Sequence, residues 1–129
     1  MKFITILITT IFIMCFASGH FWHGKTLSQF EVAKKWGKSK LDLGTFSKSD
    51  EKIRATMAYS ILVNQKEFIG KSVTEIRNKF GQPDGFYFKD IFPAYLIQIA
   101  KSKNEEAWQI VFLLNQDRNV TGVIVHKNN

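Results

Sequence analysis

Two histidines, His20 and His23, stand three residues apart, a spacing that can bring two imidazoles to one metal ion. A metal centre needs further ligands and a fixed scaffold, and this pair sits where a processed chain would begin, so no metal is expected there. Carboxylates occur in two adjacent pairs, Asp50-Glu51 and Glu105-Glu106. Neighbours in sequence do not face each other on a helix, and the second pair falls in a polar loop. Neither resembles an acid/base dyad, which holds its two carboxyls in distinct environments. No glycine-rich phosphate loop, nucleophile elbow or zinc-ligand spacing occurs in the chain. The single cysteine, Cys15, lies inside an apolar leader, so a processed chain has no thiol for a disulfide, a metal or a nucleophile. The expectation is a protein that is not an enzyme and carries no cofactor.

Aromatic residues offer a different chemistry. Phe86, Tyr87, Phe88, Phe92 and Tyr95 cluster within ten positions. They can form a stacking platform for a sugar or a peptide, or they can pack a sheet against its core. They are the candidate partner-binding residues. His126, at the end of the last apolar run, is expected at the surface, and Asn119-Val120-Thr121, formally a glycosylation sequon, reads as turn chemistry.

The formal charge is +7 and the pI near 9.6. The lysines are scattered, with Lys34, Lys35, Lys38 and Lys40 as the densest group. Such a group is either a solvated face or a contact to lipid headgroups or peptidoglycan. No nucleic-acid partner is expected, because an exported chain meets little of it and no aromatic-basic RNA motif is present.

Export is the reading of residues 1–19, MKFITILITTIFIMCFASG. Lys2 is a short positive start, Phe3 to Ala17 is uncharged and mostly apolar, and Ala17 and Gly19 are small residues ahead of His20, the pattern of a cleaved signal peptide. The apolar stretch falls short of the roughly 20 residues a spanning helix needs. A retained anchor, extended by Phe21 and Trp22 and associating with the membrane through the N-terminus, is the alternative. Lipidation at Cys15 is a third outcome, although Met14 is large for the residue preceding a lipidated cysteine. The expected location is the periplasm or the outer membrane, with secretion as the alternative.

At 129 residues, 45% of them hydrophobic, the chain has room for one packed domain. After a mixed extension over 20–45, which includes a short helical pattern from Ser28 to Trp36, a helix is expected from about Ser49 to Lys66 with Ile53, Met57 and Ile61 on one face. The segment Gly70 to Pro83 predicts a second helix with every signal in agreement. Ser72 and Glu75 can form a capping box, Val73, Ile76 and Phe80 share a face, and Gly81 with Pro83 ends the helix. The period then changes to two. Strands are expected at Gly85–Phe88, Ala94–Ala100, Trp108–Leu114 and Val120–His126, with a break at Lys89-Asp90 and Pro93. The Trp108 strand has one strongly apolar face and a second that is largely apolar. The fold class is therefore α+β over 46–129, with two or three N-terminal helices packed on one face of a three- to four-stranded antiparallel sheet.

The residues Gly70, Ser72, Glu75, Ile76, Gly81 and Pro83, followed by Trp108 to Phe112, an Asn/Asp turn and Val120 to Val123, resemble the SmpA/OmlA (BamE-like) family of small bacterial envelope lipoproteins. The unit is also similar to the fold of the β-lactamase inhibitor protein. The resemblance covers about residues 50–125 and rests on caps and turns, which carry fold more than function. It implies a protein-binding or scaffolding module with a protein partner in the cell envelope, linked to outer-membrane assembly or maintenance. An inhibitor or immunity protein against a secreted enzyme is the alternative that the second likeness implies.

Overall fold

The computed structural model describes residues 25–87, 91–102 and 106–128. The leader with Cys15, the His20–His23 pair, Phe88 and the side chain of Tyr87 lie outside the described residues. The chain runs from strand β1 (Thr26–Leu27) through helices α1 (Gln29–Trp36), α2 (Leu43–Lys48) and α3 (Glu51–Val63), a 3-10 turn at Gln65–Glu67, and helix α4 (Val73–Phe80). Strands β2 (Gly85–Tyr87), β3 (Phe92–Gln98), β4 (Ala107–Leu114) and β5 (Val120–Asn128) follow. The sheet is antiparallel throughout, in the order β1-β5-β4-β3-β2.

Each helix starts on a side-chain cap. In α1 the Ser28 hydroxyl accepts from the Glu31 amide at 3.2 Å while Glu31 Oε1 accepts from the Ser28 amide at 3.1 Å. The same reciprocal pair opens α4, between Ser72 and Glu75, at 3.2 Å in both directions. Asp42 and Asp50 cap α2 and α3 by accepting from Thr45 and Ile53. Four otherwise orphaned ends are thus satisfied locally. At the far end of α4, Gly81 has a φ of 87°, and a Cβ there would lie 3.2 Å from the Ser47 Cβ of α2. Backbone conformation and close packing both demand glycine.

The α+β class stands, with corrections to its inventory. The described residues form four helices and five strands, and all four helices fall between β1 and β2. The strand β1 has two residues and α2 six, too few for either period to be visible. Residues 25–45, expected as an extension, contribute Val32 to the common core, and the Ser39 and Leu41 amides donate to Thr56 O and Ser60 Oγ of α3. In α3 the buried set is Ala55, Met57, Ala58, Ile61 and Leu62, while Ile53 is exposed. Pro93, expected to interrupt the strand, lies inside β3 opposite Phe86. The pairing of β3 with β4 begins only at Ala94, so Pro93 has a paired strand on its β2 side alone and its missing N–H is tolerated.

The helices pack on the face carrying Tyr95 and Ile97 of β3, Trp108, Ile110 and Phe112 of β4, and Val123 and Val125 of β5. Phe80 is the hub of this layer. Its ring lies 4.9 Å from Phe112, 5.2 Å from both Phe46 and Phe68, and 5.9 Å from Tyr95, centroid to centroid. Edge and tilted contacts of this kind add to the area they bury. The Tyr95 hydroxyl donates to the Gly81 carbonyl at 2.8 Å, so the sheet holds the helix stop directly.

The opposite face is unusual. The alternate residues of β3, β4 and β5 are Ala94, Leu96, Gln109, Val111, Leu113, Ile124 and His126, and the register sets them against one another: Ala94 with Val111, Val111 with Ile124, Gln109 with His126. Ala94, Val111, Gln109 and His126 are buried, yet Ala94 and Val111 stand outside the helix-side core. His126 is therefore not at the surface as expected, because its place in β5 puts it beside Gln109 rather than at a frayed end.

Burial pushes the Tyr95 phenol well above its ordinary range, an effect that Arg54 and Arg77 partly offset. The folded state keeps the proton where the unfolded chain gives it up. The contribution of Tyr95 to stability is thus complete below the unfolded phenol value of about 10 and lost progressively as pH rises past it. Tyr95→Phe is expected to cost about 1 kcal/mol at neutral pH. Urea unfolding from pH 9 upward should show a shallower alkaline decline for the variant than for the parent chain; equal slopes would mean that the phenol is not buried.

Candidate functional site

The hairpin at the β2 margin of the sheet, β2 with β3, gathers most of the aromatic residues singled out in the sequence. It is positioned by Asp84, two residues into the turn after Gln82. The Asp84 amide donates to Ala94 O at 2.9 Å, and its Oδ2 accepts from the Leu96 amide at 2.8 Å and from Arg54 Nη1 at 2.7 Å. Arg54 rises from α3, donates through Nε to Phe46 O at 3.3 Å and lays its guanidinium 5.3 Å from the Phe46 ring centroid. One carboxylate therefore ties two helices to the start of β2. Its partner, Arg54, is largely shielded from water, which makes this ion pair stronger than an ordinary surface pair.

The aromatic candidates separate. Phe86 is partly exposed, at 36%, and rests against α4, where the Arg77 guanidinium lies 5.2 Å from its ring centroid. A cation over an aromatic face holds the ring without hiding its outer side. Phe92 is half-buried and packs against the core. Tyr95 is wholly buried and hydrogen-bonded to Gly81, so it is a core residue with no surface to offer a partner. Its burial follows from register: it opposes Ile110 on the helix-covered face. Tyr87 belongs to β2 by its backbone, and Phe88 lies outside the described residues.

Ile91, 38% exposed, joins Phe92, Leu114, Asn115, Gln116 and Arg118 around an open hollow of about 510 Å³. Sequence reasoning missed Ile91, Arg54, Arg77 and Asp84 as parts of this site. Asp84 reads locally as turn chemistry after Pro83, and only its pairing with Arg54, thirty residues earlier, gives it a positioning role.

Beyond β2 the sheet has no further strand among the described residues, and strand backbone groups at a sheet margin are able to pair with another chain. Chemically, the hairpin can receive an extended segment along that edge and apolar side chains near Phe86 and in the hollow beside Ile91. The lysine group is spread apart. Lys35 and Lys38 lie over the rings of Trp36 and Tyr59, each at 5.4 Å, and Lys40 lines a separate hollow with Lys71 and Lys79. Among the described residues no three His, Cys, Asp or Glu side chains converge on a metal position, and no helix is long and apolar enough to cross a membrane. Comparison with family models, curated proteins and solved structures found no match.

Asp84→Ala is expected to lower stability by about 1–3 kcal/mol, because it strands a shielded guanidinium and a strand amide together. Amide exchange should speed up first at Leu96, whose amide loses its acceptor, and at position 84, whose amide donates to Ala94 O. An unchanged exchange pattern would show that the carboxylate does not hold the hairpin.

Proposed function

We propose that this is a non-enzymatic exported protein of the bacterial envelope that binds a protein partner by strand addition at β2. The observation that carries the reading is the outer edge of β2, which pairs with no further strand among the described residues, with Phe86 and Ile91 exposed beside it. Backbone pairing along such an edge supplies affinity, and flanking apolar pockets supply selectivity. The edge is short and held from behind by Arg77 and Asp84, so a partner strand meets a formed template and spends little ordering it.

The envelope setting rests on the leader, which has the pattern of an export signal. The resemblance of the Gly70–Pro83 segment to the SmpA/OmlA (BamE-like) family supports a scaffolding role linked to outer-membrane assembly or maintenance. Phe86, Phe92 and the backbone of Tyr87 are the proposed contacts, with Ile91 added.

A photo-reactive residue placed at Phe86 or Ile91 in cells should capture an envelope protein on illumination, while one at the exposed Val63 of α3 should not. Mass spectrometry of the purified chain would read its N-terminus at the same time. The reading fails if Phe86 and Ile91 capture nothing beyond the Val63 control, or if the adducts are cytoplasmic proteins.

A further inference from the structure

The back face of the sheet, away from the helices, is built for an apolar cover. Leu96, Leu113 and Ile124 are half-buried there, Val111 and Ala94 are fully shielded, and Gln109 is 5% exposed although no described helix belongs to that face. A solvated sheet face alternates toward polar residues; this one keeps five aliphatic side chains in register across three strands.

We propose that in the full-length chain this face is the docking surface for the chain's own apolar stretch, Phe3 to Ala17. Four observations favour that occupant over a second copy or an outside partner. The described chain begins at the right place: the Lys25 carbonyl accepts from the Lys127 amide at 2.8 Å, and Thr26 opposes His126 in β1, the marginal strand beside β5. Lys25 therefore lies at the β1 margin of the sheet. The length fits, since fifteen residues as a helix span about 22 Å and five strands side by side span about 19 Å. The connection is adequate, as the seven residues from Ser18 to Gly24 reach up to about 24 Å, enough to round the β1 edge. Finally, the stretch carries no charge, so its burial leaves no ion unpaired.

The inference goes beyond partner binding at β2, which involves the other end of the sheet. It makes removal of the leader a structural event: cleavage ahead of His20 strips the cover from Leu96, Val111, Leu113 and Ile124 and opens a second apolar surface. The full-length chain and the processed chain then differ in what they can bind, while the helix-side core stays the same.

Cys15 is the only thiol in the protein, which allows a direct test in the full-length chain without detergent. Leu96→Cys, Leu113→Cys and Ile124→Cys, treated one at a time with a short bis-maleimide, should each be compared with Val63→Cys on the helix side. The proposal expects a link within one chain from Cys15 to at least one back-face position and none to the Val63 control. Links only between chains would assign the face to a second copy, and absence of links at all three back-face positions would leave the leader elsewhere; either result overturns it. Ile11→Asp provides an independent readout that needs no new cysteine. It should raise the fluorescence of a dye that binds apolar surface and lower the melting temperature, and a chain unaffected in both would equally overturn the proposal.

Discussion

The hydrogen bond from the Tyr95 hydroxyl to the Gly81 carbonyl joins the two halves of this molecule at one point. On one side is α4, which must stop where it does because Gly81 is left-handed and has Ser47 packed against it. On the other is β3, whose Tyr95 ring stands among Phe46, Phe80 and Phe112. Without that bond a buried phenol and a helix-terminal carbonyl both lose their partner, and each such loss is costly in a dry interior. The other end of α4 is fastened as well. The Val73 amide donates to Arg118 O, and the strand β5 begins with Val120 exchanging bonds with Gly70 and Lys71. The helix is thus clamped at its first residue, by the turn that leads into β5, and at the glycine that follows its last, by β3.

Only Gln82 and Pro83 separate that junction from Asp84, so the placement of β2 is inherited from the position of Gly81. Asp84 then converts the inheritance into a fixed hairpin through Arg54 of α3, and Arg77 of α4 supports the ring of Phe86. A weakly paired edge strand of three residues would fray alone. Here two arginines and one carboxylate from separate elements converge behind it, while its outward side stays open among the described residues. The candidate site is a surface for pairing, and its rigidity comes from groups that a partner need never touch.

Much of this was legible in the chain. The capping boxes at Ser28 and Ser72 announced α1 and α4, since an N-cap and its N3 carboxylate are local chemistry. The strong alternation in β3 to β5 announced the sheet. What escaped reading depended on long-range pairing. The strand β1 exists only because Leu27 finds Val125, nearly a hundred residues on. Tyr95 looked like a binding aromatic because its neighbours in sequence are aromatic, whereas its partners are Gly81 and Phe46. His126 looked terminal and is buried, because strand register decides its face. The dual apolarity of β4 was visible, but its meaning required knowing that all the described helices occupy one side.

The claim on which the functional reading stands is that the outer edge of β2 is formed and unoccupied in the free protein. Amide hydrogen exchange followed residue by residue on the purified protein tests it most directly. The account predicts that amides of β3, β4 and α4 exchange only through global unfolding, whereas the outward-facing amides of β2 exchange close to the rate of open chain. Protection of those outward amides to the same degree as the interior strands would contradict it, because the edge would already be paired.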